Sequence, residues 1–125
     1  MLLVDANVIL RFILNDHPEM SSRAKEILVD NETLILTQVV AEVIYVLDGV
    51  YASSRQKTAS VLNKVFSLPK TLIENRSIVT LALDEYAKTK LDFVDTLLYA
   101  YHRITGLSVE TFDKDLQRAL YAGSS

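Results

Sequence analysis

The chain contains no cysteine, so disulfides, thiolate metal sites and a cysteine nucleophile are all excluded. That absence fits a reducing cytoplasm, which is the expected location. Two histidines are too few for an imidazole-dominated metal site. Long hydrophobic runs are missing as well. The stretches at residues 8–14 and 39–47 are interrupted by Arg11 and Glu42, and neither approaches the roughly 18 uninterrupted residues of a membrane helix. The apolar N-terminal residues are broken at Asp5 and have no basic segment before them, so a signal peptide is not expected. Nor is there a basic surplus. Thirteen Lys and Arg stand against sixteen Asp and Glu, giving a net charge of −3, so no diffuse basic surface advertises nucleic-acid binding. A polyanion would have to be met through bound cations or a local basic rim.

What is present is apolar material. Half of the 125 residues are hydrophobic and 23% are charged, enough to repay the ordering entropy of one compact domain over residues 1–125. Leu2-Leu3-Val4 reads as a short buried strand, followed by a helix from Asn7. Asp16 or His17 is the expected cap of the next helix, with Pro18 at its first position. Thr33-Leu34-Ile35-Leu36 and Thr71-Leu72-Ile73 read as further strands. Thr37 is the expected cap of a helix over 38–50, Ser53 and Ser54 open one to about residue 68, and Asn75 caps one over 76–88. Asp92 begins a helix that Gly106 stops, residues 107–111 read as a fourth strand, and the last helix spans 114–122. Short apolar strands alternating with helices predict an α/β fold with a short parallel sheet of about four to five strands, covered by helices on both faces.

In such a sheet, ligands bind beyond the carboxyl ends of the strands, and acids collect there. Asp5 follows the first strand and Asp113 the last, although each also suits a helix cap. Asp92 and Asp95 stand three apart at a helix start, close to a capping box. Glu42 falls at the fifth helical position, too deep to cap, in an otherwise apolar stretch. It is expected to be buried and to need a cationic partner or a metal ion. Two carboxylates about 5 Å apart repel by roughly 3 kcal/mol at an effective dielectric near 20. A hard divalent cation removes that cost, and all-oxygen ligands point to Mg²⁺ or Mn²⁺ rather than Zn²⁺. Such ions suit phosphodiester hydrolysis, which needs neither a histidine nor a serine nucleophile.

The segments Leu3-Val4-Asp5-Ala6-Asn7-Val8-Ile9-Leu10, Thr37-Gln38-Val39-Val40-Ala41-Glu42-Val43, Leu91-Asp92-Phe93-Val94-Asp95-Thr96-Leu97-Leu98 and Thr111-Phe112-Asp113-Lys114-Asp115-Leu116 resemble PIN-domain nucleases. The similarity is to the VapC-type toxins of toxin–antitoxin pairs and covers nearly the whole chain. It implies a three-layer PIN fold and a Mg²⁺- or Mn²⁺-dependent endoribonuclease site. Asp5, Glu42, Asp95 and Asp113 match the acidic quartet. Asp5 is the central metal ligand on this reading, Glu42 and Asp95 complete the first site, and Asp113 holds a second ion or orients water. Asp92 ranks below Asp95, and Asp115 lower still. Asn7, Thr37 and Thr111 match supporting polar positions. Ala6 and Leu116 depart from the family's frequent Thr or Ser and Phe, without removing a ligand. The resemblance also implies an RNA substrate, a homodimer and a small antitoxin protein lying across the acidic pocket.

Arg11, Lys114 and Arg118 are the expected phosphate contacts among the scattered basic residues. Tyr99, Tyr101 and His102 look like a base-stacking cluster, but their helix needs aromatics for packing. A non-catalytic PIN-like module binding RNA or protein, and a PIN-type nuclease acting on DNA, are the alternatives. A phosphotransfer receiver fits poorly, because Asp5 has no neighbouring acid to pair with.

Overall fold

The computed structural model describes residues 1–123. The chain divides into two compact units, Met1–Arg76 and the part from Ser77 onward, and each is described by itself.

The first unit holds all three strands found among the described residues: β1 (Leu2–Leu3), β2 (Thr33–Ile35) and β3 (Thr71–Ile73). They pair in the order β1-β2-β3, all parallel, with Leu3 opposite Leu34 and Leu34 opposite Leu72. The strand period of two sorts the sheet into two faces. Val4, Thr33, Ile35, Thr71 and Ile73 are buried, whereas Leu3, Leu34 and Leu72 form a row of which Leu3 and Leu72 are exposed.

Four helices complete this unit: α1 (Ala6–Leu14), α2 (Pro18–Asp30), α3 (Thr37–Gly49) and α4 (Arg55–Phe66). Helix α1 packs on α2 and α3, α3 on α4, and α4 on β3. Ile9, Leu28, Ile35, Val40, Val43, Leu62 and Val65 are its best-buried apolar side chains. Several starts follow the expected capping chemistry. The Met20 amide donates to His17 Nδ1 at 3.1 Å, with Pro18 opening the helix, and the Lys57 amide donates to Ser54 Oγ at 3.1 Å.

The start of α3 does not. Leu36 occupies the cap position and makes no side-chain bond, while Thr37 is already helical. The Thr37 amide donates instead to Glu74 Oε1 at 2.9 Å, from just beyond β3. The expected local cap is thus replaced by a carboxylate from a distant part of the chain. The expected burial of Glu42 also fails. Helix α3 buries Val40, Val43, Ile44 and Leu47 along one stripe, and Gln38, Glu42, Tyr45 and Asp48 face solvent on the other. An apolar-rich helix needs only one covered stripe, and Glu42 lies off it.

The second unit is helical: α5 (Arg76–Lys88), α6 (Phe93–Thr105) and α7 (Lys114–Gly123). Helices α6 and α7 pack together, with Leu91, Tyr99, Leu116 and Leu120 forming a cluster joined by Val109 and Ala119. Tyr86 and Phe93 meet edge to face, their centroids 6.4 Å apart. Gly106 ends α6 in the left-handed region at φ 78°.

The expected fourth strand at residues 107–111 is absent, so the sheet has three strands rather than four or five. Its backbone groups are taken locally. His102 Nδ1 bonds the Leu107 carbonyl at 2.8 Å, Thr105 Oγ1 accepts from the Leu107 amide at 3.2 Å, and Gln117 Nε2 donates to the Thr111 carbonyl at 2.7 Å. Side chains that satisfy a backbone in this way compete directly with a strand ladder. Among the described residues no helix is long and apolar enough to cross a membrane.

Candidate metal and nucleic-acid site

Asp5 stands where β1 passes into α1. Its backbone is extended, and its Oδ1 accepts the Val8 amide at 3.1 Å. Capping uses one oxygen, and the exposed carboxylate keeps the other for a further partner. Asp113 repeats the arrangement at the start of α7, where its Oδ1 accepts the Leu116 amide at 2.8 Å. Thr111 fixes Asp113 in turn, since its Oγ1 accepts the Asp113 amide at 3.0 Å. Asn7 is exposed on the first turn of α1, within the same unit. Glu42 belongs to the solvent stripe of α3, and that helix packs against α1.

The electrostatics are clearest around Asp95, in the first turn of α6. Burial raises its carboxyl above the ordinary aspartate value of 3.8, and the negative charges of Asp113 and Asp92 raise it further. Asp92 occupies the cap position of α6, yet its side chain caps no amide, so the expected capping box is not formed. Both its oxygens remain available. Asp92, Asp95 and Asp113 therefore create one zone of negative potential within the second unit.

Among the described residues no three acidic or histidine side chains gather into a preformed metal cage. The donor chemistry nevertheless fits a hard divalent cation. Mg²⁺ keeps several waters and needs only one or two carboxylates, and Asp95 is a carboxylate whose charged form lacks compensation.

The basic residues divide sharply. Arg11 Nη1 is held by Asp16 Oδ1 at 2.7 Å and Arg118 is bound by Asp115, so two of the three expected phosphate contacts are engaged internally. Lys114 is exposed and makes no ion pair among the described residues. Tyr99 is buried, and its hydroxyl accepts from Arg103 Nη1 at 3.0 Å, which makes it a packing residue. Asp115 is committed to Arg118 in the same turn of α7.

Two features escape sequence reasoning. Glu74 caps α3 across 37 positions, for which no local pattern exists. Phe112, within the Thr-Phe-Asp segment, is fully exposed, although its apolar character would place it inside.

A family model described as PIN domain matches residues 2–120. Curated proteins and solved structures give no match to this chain.

Proposed function

The chain belongs to the PIN-domain family, and from that premise we propose that it is a divalent-metal-dependent endoribonuclease, the toxin of a type II toxin–antitoxin pair. PIN domains are generally nucleases, and PIN nucleases typically use Mg²⁺ or Mn²⁺. The observation that carries the reading is the extent of the match, because residues 2–120 include Asp5, Glu42, Asp95 and Asp113 together.

Each of those carboxylates is a candidate metal ligand, Asp5 and Glu42 in the first unit and Asp95 and Asp113 in the second, with Asp92 as a further oxygen donor. A bound Mg²⁺ or Mn²⁺ lowers the pKa of a coordinated water and neutralises charge on the scissile phosphate. The chain supplies the rest. Helix N-termini hold Asp5 and Asp113 in fixed orientations through their capping bonds. Thr111 anchors the turn bearing Asp113. Lys114 offers an unengaged cation for the substrate backbone, a contact that neutralises charge without reading sequence.

A protein partner, and a homodimer, are part of the same proposal. What supports a docking surface is the groove between α1 and α2, about 340 Å³, with Val8, Met20, Ala24 and Ile27 along its apolar wall. Arg11 and Arg23 line it as well. The cytoplasm, where RNA and an antitoxin would both be met, is the proposed location.

The test pairs Mn²⁺ calorimetry with cleavage of a labelled structured RNA such as tRNA, on the wild type and on Asp5→Asn. The wild type is expected to bind Mn²⁺ and cut. Asp5→Asn should keep its circular dichroism spectrum and lose cleavage. Full activity in that variant would overturn the assignment of Asp5. A second reading, a non-catalytic binding module, has one observation on its side, the lack of a preformed three-acid cage among the described residues. A wild type indifferent to Mn²⁺ selects that module. Cutting of single-stranded DNA in place of RNA selects the DNA nuclease.

A further inference from the structure

A single apolar side chain on a surface is ordinary and needs no explanation by itself. Phe112 differs in three ways. First, its ring is fully exposed while both of its neighbours are tied down. The Thr111 carbonyl accepts from Gln117 Nε2 at 2.7 Å, the Asp113 amide donates to Thr111 Oγ1 at 3.0 Å, and Asp113 Oδ1 caps α7 at 2.8 Å. The ring therefore stands on a backbone fixed by three hydrogen bonds, which lowers the ordering cost of any contact it makes. Second, it adjoins Asp113, a carboxylate within electrostatic reach of Asp95. Third, the next residue is Lys114, exposed and without an ion pair among the described residues.

We propose that the turn at residues 111–114 grips single-stranded nucleic acid, with Phe112 stacking on an unpaired base and Lys114 facing the adjoining phosphate. An aromatic face and a cation two residues apart, on either side of Asp113, match the two chemistries of an unpaired nucleotide, a flat π-surface and a charged backbone. A cleft of about 260 Å³ beside the turn has a mixed lining, in which Val109 and Leu120 are apolar and Ser108, Glu110, Thr111 and Gln117 offer donors and acceptors to the edges of a flanking base. The proposal rests on the nuclease reading for its substrate class, and it adds that substrate must be unpaired at the turn.

The chain has no tryptophan, so Phe112→Trp introduces a unique indole, excited apart from the tyrosines at long wavelength, at an exposed position. Titration of that variant with a short oligouridylate, in chelator so that nothing is cut, should quench its emission. A fully paired duplex should not. In cleavage assays with Mg²⁺, Phe112→Ala should raise KM about 5- to 100-fold with kcat nearly unchanged, and Phe112→Tyr should restore it. Lys114→Gln should reduce the slope of log affinity against log salt by about one.

Unquenched emission together with an unchanged KM in Phe112→Ala overturns the proposal while an active wild type leaves the nuclease reading standing. Quenching in a wild-type background that cuts no RNA or DNA retains the grip and removes the nuclease. Emission that shifts with protein concentration alone assigns Phe112 to a contact between chains and overturns the proposal.

Discussion

Residues 2–5 and residues 107–113 end in the same way, on an aspartate that caps the following helix through the amide three residues on. Only the first contains a strand. Leu2 donates its amide to the Glu32 carbonyl at 2.8 Å and pairs with β2, whereas Leu107 and Thr111 spend their backbone groups on His102, Thr105 and Gln117. The carboxylates end in equivalent positions all the same. The helix cap, and not the strand before it, is what orients Asp5 and Asp113.

The regions differ in electrostatic setting. Asp113 shares its surroundings with Asp95 and Asp92, and charge removal there should have the largest consequences. Asp95→Asn is expected to abolish metal-dependent cleavage, read on labelled RNA. The same variant should be more stable than the wild type at neutral pH without metal. A carboxyl with a raised folded pKa binds more protons when folded, so stability falls as pH rises from the ordinary aspartate value through the folded one. Asn removes that loss, and urea melts at several pH values will show a flatter profile.

Packing gives the next effect. Leu116 is fully buried beneath the Asp113 turn, so Leu116→Ala should cost about 2–5 kcal/mol in urea unfolding. Leu62→Ala, equally buried in the first unit, should fall in the same range. Equal costs would mean that the strandless unit is as firmly packed as the one with the sheet.

Glu74 provides a smaller, pH-dependent effect. The Thr37 amide holds its carboxyl below the ordinary glutamate value of 4.5. Its contribution is therefore fully present above pH 4.5 and is lost as pH falls through the lower folded value. Glu74→Gln should lower Tm at neutral pH and lose part of the acid-side slope. The smallest effect is expected at Ala52, which adopts φ 49°. Ala52→Gly should relieve the left-handed strain and raise stability by about 1 kcal/mol.

Much of this architecture was legible because its signals are local. His17-Pro18, Ser54 and Gly106 mark helix ends through bonds to neighbouring residues, and Asp5 and Asp113 declare themselves by the helices that follow. The features that were not legible depend on what lies across space. Glu42 sits in a run of apolar residues, but only the packing of α3 determines which side of that run meets solvent. Residues 107–111 have strand-like composition, and their fate turned on whether a ladder or nearby side chains claimed the backbone. Thr37 looked like a cap because Glu74 stands 37 residues away. The exposure of Phe112 has no local signal, because an exposed ring and a buried one have the same letter.

The Glu74 bond has a consequence for the order of assembly. Helix α3 has no side-chain cap of its own, and the carboxylate that completes its first turn arrives only when β3 lies beside β2. Such a distant cap adds loop-closure entropy to helix initiation, so α3 is finished late, after the sheet. The helix that bears Glu42 is thus secured only once β2 and β3 are in register.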